Sequence, residues 1–266
     1  MMGFSLTFNG YNLAAYGLTV AQHPMPLLAD IRLDYQDYGD RDGGVVQGAS
    51  LKPRYMNVEG VVLAHTRRDL QDNMDDIKAV LDPRNGSKLM SLDSWPDRGW
   101  YGVLNGPINA QPLGGSGLRV QLNFALVDGV AVSLTETTQT VSVDETPEGF
   151  NCTAAGVVAG NEVTRPVWLV TNTAAGTITS VVLANTTRSE TMTWTGSLAQ
   201  NNILRIDSDR LHVEKSTDGG TTYTNNLLYA SAASEWPKLT GGVQNACTLT
   251  GVTAGSVVVT YRARWI

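Results

Sequence analysis

Carboxylates outnumber basic side chains in this 266-residue chain, with 25 Asp and Glu against 19 Lys and Arg. Two of them facing each other across a cleft would suit glycoside hydrolysis, but no spacing singles out a pair. The three histidines, His23, His65 and His212, are scattered. A zinc centre needs three or four converging ligands, and no such cluster is spelled here. Neither a G-x-S-x-G elbow nor a G-x-x-x-x-G-K-[ST] phosphate loop occurs. "DYGDRDGG" begins at Asp37 and holds three acids in six residues. It lacks the later bidentate Glu of a calcium loop, and Asp42-Gly43 reads as a turn. Cys152 and Cys247 leave two readings, a pair of buried thiols or a bridge within the C-terminal region. No catalytic group, cofactor or metal is expected.

Sugar chemistry has two further pointers. "EKSTDGGTTYT", from Glu214 to Thr224, contains Ser216-x-Asp218-x-Gly220-x-Thr222-Tyr223. This resembles the Asp-box of sialidase propellers, where the motif stabilises a hairpin turn. Here it stands once, without a blade repeat. Asp218 can accept backbone N–H bonds while Gly219 and Gly220 supply positive φ, so a hairpin is expected. The second pointer is six tryptophans: Trp95, Trp100, Trp168, Trp194, Trp236 and Trp265. Aromatic rings pack in cores or stack on sugars. For a carbohydrate-binding reading, Trp194, Tyr223 and Trp236 are the rings to test.

The elements behind these residues fall into two parts. Ser and Thr number 10 up to Ser133 and 34 after it, and Thr favours strands. The polar stretch "VSLTETTQTVSVDETPEG" marks the boundary, giving domains 1–135 and 136–266. In the first, "SLTFNGYNL" ends a strand at Asn9-Gly10, a tight-turn dipeptide. In "ADIRLDY", Ile31, Leu33 and Tyr35 alternate with Asp30, Arg32 and Asp34. "GLRVQLNFALVD" turns Leu118, Val120, Leu122, Phe124 and Leu126 one way. A helix over about 66–82 follows from Leu70, Met74, Ile77 and Leu81 on one stripe. Thr66 and Asp69 form a capping pair, and Asp82-Pro83 stops the helix. The domain reads as an antiparallel sheet or sandwich with one helix on a face. The second reads as about eight short strands without a helix, a jelly-roll-type β-sandwich. The fold class is mainly β.

Charge narrows the partners. Each part carries three more acids than bases, 14 to 11 and then 11 to 8. With no basic half to grip phosphates, nucleic acid is not expected as a partner. No apolar run reaches the ~20 residues of a membrane-spanning helix. "MMGFSLTFNGYNL" lacks the basic and apolar regions of a secretory signal, so a soluble chain made in a cytoplasm is expected. The Asn-x-Ser/Thr sequons at Asn85, Asn151 and Asn185 then carry no meaning.

The order of segments resembles the distal tail protein (Dit) family of long-tailed bacteriophages. The N-terminal resemblance runs through "SLTFNGYNLAAYGLTV", "DYQDYGDRDGGVVQGASLKPRYMNVEGVV", the helix to Leu81, "GSKLMSLDSWPDRGWYGVLNG" and "GLRVQLNFALVD". The C-terminal one rests on "ILRIDSDRLHVEK", "SEWPKLTGGVQNACTL" and "VVVTYRARWI". One departure is "TGGVQN", a residue longer between Gly and Asn than the family's element, with Thr240 or Gly241 where Pro is usual. The resemblance implies a ring-forming N-terminal domain and a galectin-like second domain. It implies a structural virion protein, a hub joining tail tube to tail tip as a homohexameric ring. Tail tube and tail-tip hub proteins would be its partners, with a host-surface carbohydrate as the alternative ligand. The hairpin from Asp37 to Leu51, with Asp40, Arg41, Asp42 and Gly43 at its tip, has two readings, a strand added onto a neighbouring copy or an ordinary hairpin within the chain.

Overall fold

The computed structural model describes residues 3–24, 29–37, 44–152 and 158–266. The chain divides into two compact units, 1–134 with Ile266 and 135–265.

The first unit runs β1 (Leu6–Phe8), β2 (Tyr11–Asn12), β3 (Leu18–Gln22), β4 (Ile31–Asp37), β5 (Gly44–Leu51) and β6 (Arg54–Leu63). It continues with α1 (Arg67–Val80), β7 (Lys88–Leu92), β8 (Arg98–Leu104), β9 (Asn109–Pro112), β10 (Gly117–Leu126) and β11 (Ala131–Ser133). Its main sheet has the order β2-β1-β7-β8-β10-β6-β3, with β9 on β10 and β11 on β8. Asn9 and Gly10 both take positive φ and close the β1–β2 hairpin, as that dipeptide favours. The long β6–β10 pair runs in unbroken register from Arg54↔Leu126 to Leu63↔Gly117. Strict alternation turns Met56, Val58 and Val62 of β6 and Val120, Leu122, Phe124 and Leu126 of β10 into the core.

α1 starts where expected. The Thr66 hydroxyl accepts from Asp69 N–H at 3.1 Å, and the Asp69 carboxylate accepts from Thr66 N–H at 3.1 Å. Such a cap contributes about 1 kcal/mol. Met74, Ile77 and Leu81 are buried. Arg67, Gln71 and Lys78 lie exposed along one flank of that stripe.

The second unit comprises β12 (Thr137–Val143), β13 (Glu148–Cys152), β14 (Val167–Asn172), β15 (Ile178–Asn185) and β16 (Glu190–Leu198). β17 (Ile203–Asp207), β18 (His212–Ser216), β19 (Thr224–Asn225), β20 (Asn245–Thr250) and β21 (Gly255–Tyr261) follow, and a two-residue strand, Arg264–Trp265, comes last. Strands β12 to β21 form two antiparallel sheets, ordered β12-β21-β14-β17-β18-β19 and β13-β20-β15-β16. Trp168 of the first sheet and Trp194 of the second share one buried core with Leu183, Leu204, Leu249, Val257 and Val259. Cys152 and Cys247 are buried free thiols with sulfurs 3.3 Å apart. The neighbouring thiol and burial both push the Cys247 pKa up, keeping it protonated.

Candidate interaction surface

β4 and β5 form a two-stranded sheet of their own. Asp30 C=O accepts from Lys52 N–H at 2.8 Å and ties the root. Ala29 is buried there against Gly129, whose φ is +66° and whose added Cβ would lie 2.8 Å from Lys52 O. Only glycine lets the root sit so close. Beyond the root the hairpin is an arm, with every β4 residue exposed.

The arm has a clear sidedness. Ile31 pairs with Leu51 and Leu33 with Ala49; after a bulge Tyr35 pairs with Val46. Opposed residues share a face, so these six make one apolar face. The other face carries Arg32, Asp34 and Ser50, with Arg32 Nε 3.2 Å from Asp34 Oδ1. The alternation of "ADIRLDY" is therefore real, but its apolar side is not core. Ile31 is 48% exposed, Leu33 40%, Tyr35 64% and Val46 50%. An isolated two-stranded ribbon is marginal in water, and such a face calls for a partner. Periodicity cannot distinguish a face buried within the chain from one that is left open. The tip residues Asp40, Arg41, Asp42 and Gly43 lie outside the described residues.

The sugar-stacking candidates do not form a platform. Trp194 is fully buried, which corrects its assignment as a stacking ring. Its ring folds over Gly196 and meets Tyr229 edge-on at 6.4 Å between centroids. Trp236 is half-buried and packs on the same core. Tyr223 is half-buried, with the Arg205 guanidinium over its ring at 5.7 Å. Arg205 is held in turn by Glu214 directly across the β17–β18 pair, at 3.2 Å.

The Asp-box is a hairpin between β18 and β19. Asp218 Oδ1 accepts from Thr221 N–H at 3.1 Å and Thr222 N–H at 2.9 Å, and Oδ2 accepts from the Thr222 hydroxyl at 2.6 Å. Ser216 Oγ donates to Asp218 at 2.7 Å and accepts from Gly220 N–H at 2.8 Å. Gly219 and Gly220 take positive φ. The Thr222 hydroxyl and N–H, with Ser216, hold the Asp218 carboxyl well below the usual range. Asp82 is also pushed down, by its bonds to Arg84. A general acid for glycoside cleavage needs the opposite shift. Among the described residues, no group of three His, Cys, Asp or Glu could hold a metal ion. Nor is any described helix long and apolar enough to cross a membrane.

A buried polar network that sequence reasoning did not single out orders the segment after Trp236. Asn245 Nδ2 donates to Thr240 C=O at 3.0 Å and Val243 C=O at 3.2 Å. Its Oδ1 accepts from Thr240 N–H at 2.9 Å and Asn185 Nδ2 at 3.1 Å. Glu190 accepts from Lys238 N–H at 2.8 Å and from Arg188 Nε at 3.0 Å. The longer "TGGVQN" loop is thus closed on itself by Asn245. Asn185, noticed only as a sequon, is fully buried.

The relationships to known proteins agree with this picture. Residues 11–125 match the family model of the phage tail protein RIFT-related domain. That stretch is most of the first unit, and the likeness to a phage tail domain is confined to it. Over the whole chain, the fold is that of Dit from phage SPP1, whose crystal structure is described as a paradigm of the hub adsorption apparatus in phages infecting Gram-positive hosts. The TM-score is 0.74 at 17% identity, covering 99% of both chains. Chains of the phage p2 baseplate in its activated conformation, with strontium and with calcium, align with TM-scores of 0.57 and 0.56. Both are 8% identical over 97% of each chain. No curated protein sequence matches the chain. The likeness to a phage tail domain thus holds in sequence over residues 11–125, and the likeness to Dit holds in fold throughout.

Proposed function

We propose that the chain is a structural protein of a phage tail, a hub that closes into a ring between tail tube and tail tip, without turnover. The observation that carries this reading is the β4–β5 arm. It projects an apolar face that its own domain leaves open, and both of its outer edges are unpaired among the described residues. A neighbouring copy is the economical cover. One arm per copy, reaching a different surface on the next copy, is a heterologous contact. Repeated by a rotation that closes, such contacts make a ring. The fold shared with Dit and with baseplate chains supports the same reading, and six copies is the number that the resemblance to the distal tail family implies. The second unit, with its two-sheet core, then offers surface to other tail proteins. Native mass spectrometry of the full chain across micromolar to near-millimolar concentration tests it. A ring species of about six copies is expected. A chain that stays monomeric throughout would remove self-assembly as its function.

A further inference from the structure

If the arm seats on a second copy, some surface of that copy must receive it. The first unit has a groove of about 370 Å³ between α1 and the β9–β10 hairpin. Leu70 and Met74 line it from α1, and Ile108 and Leu118 from the opposite wall, with Arg67 and Lys78 also at the lining. We propose that the arm of one copy lays its apolar face into this groove of the next copy. The proposal rests on the self-assembly reading and specifies the receptor within it.

Three features of the two surfaces match. The first is chemistry: the arm's Ile31, Leu33 and Tyr35 meet an aliphatic lining. The second is length. Ile31 to Tyr35 spans about 14 Å along a strand, while Arg67 and Lys78 stand about 16 Å apart along the helix axis. The third is charge. Residues 30–37 hold three acids and one base, and Asp37 continues the apolar face at its distal end by the period of two. The groove presents two cations, while the acids of α1 (Asp69, Asp72, Asp75 and Asp76) are not among its lining residues. Lys78 is paired with Asp75 at 2.8 Å, but both side chains are more than half exposed. Such a pair contributes little and exchanges readily for a desolvated partner. Helical spacing explains the separation: positions 67, 71, 74 and 78 lie on one flank, and 69, 72 and 76 turn away from it.

The test places a photo-cross-linking benzoylphenylalanine at position 35 of the full chain. Copies labelled with heavy and light nitrogen are mixed before irradiation, so that adducts between copies are told from adducts within one. The expected adducts join two copies and map to 67–78 or 108–118. Adducts between copies that map elsewhere overturn the groove and leave the ring reading standing. Adducts confined to one copy, or none, overturn both. A charge exchange gives an independent readout. Arg67→Glu with Lys78→Glu should weaken association at least tenfold, and adding Asp37→Lys to that chain should recover most of the loss. An effect below twofold, or a loss that Asp37→Lys does not recover, overturns the groove as the receptor.

Discussion

Replacing Ile31, Leu33 and Tyr35 together by serine would strip the arm's apolar face while leaving its backbone ladder intact. The three residues are 48%, 40% and 64% exposed in the single chain. Complete burial of such a side chain contributes about 1.5–3 kcal/mol, so covering the half still exposed contributes about 1 kcal/mol each. About 3 kcal/mol per interface corresponds to roughly a 100-fold weaker association. None of the three belongs to the buried core, so the three changes together should move the stability of the single chain by no more than about 0.5 kcal/mol. Sedimentation velocity over a concentration series reads the association, and urea unfolding of the dilute chain reads the stability. The expected result is a right-shifted assembly curve with an unchanged unfolding midpoint. Association within threefold of the parent would refute the assignment of the arm as the contact. A midpoint that falls by several tenths molar urea would show instead that the arm stabilises its own domain.

The remaining predictions concern the second unit. Asn245→Ala removes the closure of the 240–245 loop and strands partners on the part-buried Thr240 and the fully buried Asn185, each costing about 1–3 kcal/mol. A loss of about 3 kcal/mol is expected in urea unfolding followed by tryptophan fluorescence, and a loss under 1 kcal/mol would contradict the network. Asp218→Asn should lower stability at neutral pH. The carboxyl of Asp218 is held below the ordinary range by Thr222 and Ser216. Its contribution is therefore complete above the ordinary carboxylate pKa of about 4 and fades as pH falls below it. The gap between parent and variant should close on acidification; a gap independent of pH would exclude the carboxylate as its source.

Local patterns carried much of the fold. The α1 stripe and its Thr66–Asp69 cap, the Asn9-Gly10 turn, the alternation of β10 and the Asp-box hairpin all depend on neighbours within a few residues. Helix and strand periods report such neighbours directly. The loop-closing role of Asn245 was visible only as part of a resembling segment, because Asn185, which donates to its Oδ1, lies 60 residues away.

Sequence by itself determined which residues share a face, where the turns fall, and that no familiar catalytic spelling is present. It determined that Ile31, Leu33 and Tyr35 point together, because a strand's side chains alternate. Tertiary structure alone decided what each face meets. It buried Trp194 over Gly196 and left the arm's apolar side open, since whether another element covers a face depends on long-range packing that no local period encodes.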